Sequence, residues 1–108
     1  MMNLLLDTCT FLWLNADAKE LSRTARELFA SSENIVYLSA VSSWAIMVKH
    51  QLGKLPLPYN PKEFIRNGKI LHNIETLALT ETATWRLKEL ASLHRDPFDR
   101  MLICQALE

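Results

Sequence analysis

Short apolar runs alternate with amphipathic stretches along this whole sequence, and that alternation restricts the fold more than any other feature. Asn3-Leu4-Leu5-Leu6 is a compact apolar run that ends on Asp7. Ile35-Val36-Tyr37-Leu38 is β-branched, aromatic and apolar, the composition of a strand. The stretch Ile70–Leu79 is ambiguous, with a third strand expected near Ile74–Leu79. Continuous runs of this length read as strands buried on both faces. Segments of helical period separate them, so the pattern predicts an α/β fold: a central parallel sheet with helices on both faces. With no internal repeat and no linker, residues 1–108 read as a single domain.

Cap and breaker residues set the expected helix limits. Thr8 or Thr10 is expected to cap a first helix through Phe11, Leu12 and Leu14. Leu21-Ser22 opens a second, in which Thr24 and Glu27 have the spacing of a capping box and residues 31–34 form the break. Ser42 or Ser43 is expected to start a third helix through Trp44, Ile46, Met47 and Val48. Lys49 and His50 then fall in its last turns, and Gly53 lies just past its end. Pro56 and Pro58 forbid helix over 55–61, after which Asn60 and Pro61 restart one that Asn67-Gly68 is expected to stop. Thr80 caps the next, with Ala83, Leu87, Leu90 and Ala91 facing inward. Asp96 and Pro97 then begin the last helix, with Met101, Leu102 and Ala106 on one face.

Composition narrows the function classes. The formal net charge is zero, whereas a protein that holds nucleic acid by general charge is basic, so RNA contact requires a local patch, a metal ion or a partner. Two cysteines, Cys9 and Cys104, make no disulfide framework and no zinc spacing, and both read as small core residues. The apolar N-terminal stretch contains an acid and lacks a signal peptide's basic start. No run reaches membrane-spanning length, so the expectation is a cytoplasmic protein without a membrane partner.

The chemistry centres on carboxylates. Active sites of parallel α/β folds lie beyond the C-terminal ends of the strands, where Asp7 is expected. Asp99, in the first turn of the last helix, can point back to the same place. Converging carboxylates suit a hard cation, magnesium or manganese, which holds a phosphate and activates water. Each residue also has a plainer reading. Asp99 sits where the helix dipole favours any acid, and Asp96 reads as a cap. Asp7 is harder to explain structurally, because a buried charge without a partner is costly. His72 and His94 lack a nucleophile with a recognisable elbow, and His50 complements a helix end. Trp13, Trp44 and Trp85 read as core or interface anchors, and two glycines, Gly53 and Gly68, cannot build a phosphate loop.

Three blocks of the sequence, LLLDTCTFLWL, YLSAVSSWAIMVKHQLGKLPLP and HRDPFDRMLICQAL, together resemble the PIN-domain toxins of the VapC type, in that family's order and spacing. The resemblance implies a three-layer α/β/α sandwich and a magnesium-dependent (or manganese-dependent) endoribonuclease, the toxin of a type II toxin–antitoxin pair. It further implies an RNA substrate, a homodimer and a cognate VapB-like antitoxin whose peptide occupies the groove beside the acidic site. Asp7 matches the family's first acid and Asp99 its third, the metal ligands. Thr8 matches the small hydroxyl residue that follows the first acid. Asp96 and Arg100 match the last block, with Asp96 a catalytic-site residue that supports or caps.

Two departures from the family pattern bear on mechanism. Ala45 stands where the family places a glutamate directed at the metal. The family pattern also continues through a further strand and helix with a fourth acid, so the resemblance predicts a sheet lacking its last strand, its open edge hidden by dimerisation or a partner. A site built on Asp7 and Asp99 alone holds a largely hydrated ion and is expected to lose several orders of magnitude in rate. The sequence thus leaves open an impaired ribonuclease and a catalytically inactive copy that only binds an antitoxin or a second subunit. A phosphotransfer domain with Asp7 as nucleophile ranks last, because that chemistry wants a second acid where Cys9 stands.

Overall fold

The structure is a computed structural model that describes residues 2–86 and 97–107, with the backbone alone for 97–99 and 107. The elements run β1 (Asn3–Leu6), α1 (Thr8–Ala16), α2 (Arg23–Ala30), β2 (Ile35–Ser39), α3 (Ala40–Gln51), α4 (Pro61–Leu71), β3 (Ile74–Leu77), α5 (Glu81–Trp85) and α6 (Pro97–Leu107). The strands form one open parallel sheet in the order β1-β2-β3. This is the α/β/α arrangement that the alternating pattern predicts.

The core lies on one face of the sheet. Leu6, Val36, Leu38 and Ile74 point from the strands towards Phe11 of α1, Ile46 of α3, and Phe64 and Ile65 of α4. Phe11 and Phe64 meet edge to face, with ring centroids 6.3 Å apart and planes at 89°, the geometry that the ring quadrupoles favour.

Several helices begin or end away from the expected residue. Asp7, not Thr8 or Thr10, caps α1. α2 opens at Ser22 as expected, but the cap is Ser22 itself rather than the Thr24 of the expected capping box, accepting from the Ala25 amide at 3.1 Å. Ser39, not Ser42 or Ser43, caps α3, so β2 passes into that helix without a loop. α4 does not stop at Asn67-Gly68 but continues to Leu71. Gly68 lies against α1: a Cβ there would sit 2.4 Å from Asn15 Oδ1. The glycine is needed for that close approach, and the helix hydrogen bonds run through it.

Other limits fall where the sequence puts them. Asn60 caps α4 with Pro61 at its first position, and Thr80 caps α5. Gly53 has φ +73, the left-handed conformation suited to the residue after a helix. Cys104 is buried as expected, but Cys9 is exposed. The tryptophans do not enter the core, and Trp44 and Trp85 are more than half exposed. Leu87, Leu90, Ala91, His94 and Asp96 lie outside the described residues.

Candidate active site

The site begins at the C-terminal rim of the sheet. The register Leu6↔Leu38 makes Asp7 and Ser39 the next residues on neighbouring strands, about 5 Å apart across the sheet. Asp7 has extended backbone (φ −80, ψ 169) and turns the chain directly into α1. Its Oδ1 accepts from the Thr10 amide at 2.6 Å, a charge-assisted cap on a helix N-terminus. The side chain is exposed, and its Oδ2 makes no hydrogen bond among the described residues. Asp7 therefore has both a structural role and an oxygen to spare. The cost of burying a charge, which made this acid hard to explain from sequence, does not arise.

Two buried polar contacts hold the rim. Thr8, directly after Asp7, donates from its hydroxyl to Ser42 of α3 at 3.1 Å. Both residues are buried, so the bond fixes α1 against α3 beside the acid. Ser39 is completely buried; its Oγ accepts from the Val41 amide at 2.9 Å and donates to Oε1 of Gln105. The other end of the Gln105 amide, Nε2, donates to the Ala78 carbonyl at 3.4 Å, just past β3. One glutamine side chain on α6 thus links the ends of β2 and β3.

Asp99 is on that same helix, six residues before Gln105, about 9 Å along the axis at 1.5 Å per residue. Of Asp99 only the backbone position is described, so the meeting of its carboxylate with Asp7, and the cap expected at Asp96, lie outside the described residues. Arg100, the next residue, has a buried Nε without a hydrogen-bond partner among the described residues. Ala45 is on α3 one turn beyond Ser42 and is 1% exposed. It contributes a methyl group and no oxygen donor.

Sequence reasoning missed Ser39, Ser42 and Gln105 as residues that build the rim. The available signal was an amide three residues after Leu102, on the stripe of α6 that turns inward, where Leu102 and Gln105 are both buried. Elsewhere, His72 is held below the ordinary histidine value of 6.5 by burial. Its Nε2 is buried without a hydrogen-bond partner among the described residues, and it faces a cavity of about 320 Å³ beside Leu14, Arg26 and Phe29. Ser31 and Ser32 also line that cavity, and Ser31 Oγ accepts from the Glu33 amide at 3.3 Å.

The donor chemistry fits a hard cation in kind. Asp7 offers one exposed carboxylate oxygen, enough for an ion that keeps most of its water. Among the described residues no three His, Cys, Asp or Glu side chains gather to hold a metal more fully.

Fold and rim together define a small parallel α/β domain with an accessible acid at the end of its first strand. The PIN domain profile matches residues 4–108. The chain belongs to that family, whose domains are generally metal-dependent nucleases. Neither the curated proteins nor the solved structures show a significant match to it. Among the described residues no helix is long and apolar enough to cross a membrane.

Proposed function

We propose that the chain is a ribonuclease of the VapC toxin type in which Asp7 and Asp99 share a largely hydrated magnesium or manganese ion. In this reading Asp96, which the sequence blocks match beside Asp99, is assigned a supporting role in the same site. The observation supporting this reading is Asp7, an exposed carboxylate with a free oxygen at the C-terminal rim, in a chain of a nuclease family. A divalent ion bound there supplies an activated water and offsets the phosphodiester charge. The protein's own residues position the site: the Thr8–Ser42 bond fixes the backbone after Asp7, and the Ser39–Gln105 bond holds α6 to the rim. With Ala45 on α3, no carboxylate from that helix orients the attacking water, and turnover is slow. A VapB-like antitoxin and a homodimer belong to the same proposal, on the strength of the sequence blocks.

The test is cleavage of a structured RNA with magnesium or manganese added. Slow cleavage that vanishes on chelation and in Asp7→Asn is the expected result. Metal-independent cleavage, or an Asp7→Asn variant as active as the parent, would overturn the assignment.

A second reading is favoured by the buried methyl of Ala45: a catalytically silent copy that only binds an antitoxin or its own dimer partner. Ala45→Glu separates the two. If the glutamate raises metal-dependent cleavage, the chain is an impaired enzyme. If parent and variant are both silent while partner affinity is indifferent to Asp7→Asn, the binding reading stands.

A further inference from the structure

A wide cavity lies away from Asp7, along β3. It is a groove of about 740 Å³ between α3, α4 and that strand. Its floor is aliphatic: Met47, Ile65, Ile70 and Ile74. Ile70 is 71% exposed, a cost in water unless something covers it. The α4 wall carries Lys62, Arg66 and Lys69, and Glu75 is the single acid lining the groove. None of the three cations forms an ion pair among the described residues; Lys69 donates only to the Thr76 hydroxyl. In a chain of zero net charge, this is a local positive strip, three cations against the single carboxylate of Glu75.

A third feature decides what fits. Among the described residues β3 pairs only with β2, so its other edge presents unpaired backbone donors and acceptors along the groove. An extended peptide can complete such an edge, with alternate side chains turned to one face. Residues two apart on a strand advance about 6.6 Å, close to the 4.5–6 Å rise between successive cations on α4. A glutamate stem covers aliphatic floor while its carboxylate meets a cation. RNA suits the groove less well: its backbone has no strand ladder to offer, and the floor has no aromatic platform for a base.

We propose that this groove binds an acidic, extended segment of a partner protein, added as a strand beside β3, with its carboxylates on Lys62, Arg66 and Lys69. The site is separate from the nuclease reading and does not depend on it.

The probe is a fluorescent peptide of about ten residues alternating valine and glutamate, titrated with the full chain at low salt in chelator. It is expected to bind, and its lysine-for-glutamate counterpart is not. The triple variant K62Q/R66Q/K69Q should weaken binding about tenfold or more, while the charge-conserving K62R/R66K/K69R retains it and controls for folding. Methylating alternate peptide amides, which blocks the strand ladder, should remove binding. Equal affinity for acidic and basic peptides, an indifferent triple variant, or full binding by the methylated peptide would each overturn the proposal. So would an oligouridylate that binds the parent chain and not the triple variant, in the absence of peptide binding; the groove would then be an RNA track.

Discussion

Two roles meet in the side chain of Asp7, and substitution can separate them. Asparagine caps a helix about as well as aspartate, whereas alanine does not. Asp7→Asn should therefore keep stability within about 0.5 kcal/mol while abolishing metal-dependent cleavage. Asp7→Ala should abolish cleavage and also cost about 1 kcal/mol. Urea unfolding beside an RNA assay reads both effects, and equal stability losses in the two variants would deny the capping role. His72 gives a pH prediction. Burial holds its folded value below 6.5, so as pH falls through about 6.5 the unfolded chain takes up a proton that the folded chain resists. The stability present above that pH is lost as the pH drops towards the folded value. Melting temperature should fall between about pH 7.5 and 5.5, and His72→Gln, which cannot titrate, should flatten the slope. An unchanged slope in the variant would assign the loss to other groups.

Among the elements, α4 shows best where local sequence stops being informative. Asn67-Gly68 has the composition of a break, yet the helix runs on to Leu71, and the glycine leaves room for the Asn15 side chain of α1 where a Cβ would be. Asn15 is held there by its own bond from Nδ2 to the Phe11 carbonyl, at 2.9 Å. Gly68→Ala ordinarily gains about 1 kcal/mol of helix propensity. Here the clash should reverse that sign and lower the melting temperature. In an Asn15→Ala background the obstacle is gone, and the same substitution should be neutral or stabilising. Additive effects in this double-mutant cycle would show that the two helices do not press on each other. The same limit explains the early starts of α1 and α3. Asp7 directly follows β1 and Ser39 ends β2, each caps the next helix, and a reading that reserves residues for a loop assigns the cap too late. Where the signal is wholly local, as in Asn60-Pro61, Thr80 and Gly53, the sequence was sufficient.

For the molecule as a whole, the acid at the end of β1 was legible because a lone carboxylate closing an apolar run is a local anomaly. The rim that supports it was not, since it depends on contacts between residues far apart in the chain. Ser39 and Gln105 are separated by 66 positions, and nothing near either one predicts the other. Yet Gln105 is the polar tie between the last helix and the ends of two strands, and Asp99 rides on that helix. Gln105→Ala should leave the Ser39 hydroxyl and the Ala78 carbonyl without that partner, at about 1–3 kcal/mol for buried groups left unpaired. Gln105→Glu should fare no better: a carboxylate can accept from Ser39 but cannot donate to Ala78, and it brings a charge into a buried position. Hydrogen exchange can locate the damage. In both variants the amides of α6 should exchange faster, while those of β1 and α1 stay protected. Any metal-dependent cleavage by the parent should fall although Asp7 is untouched. If α6 exchanges as slowly as before and cleavage persists, packing of Leu102 and Cys104 is enough to dock the helix, and the Gln105 tie is dispensable.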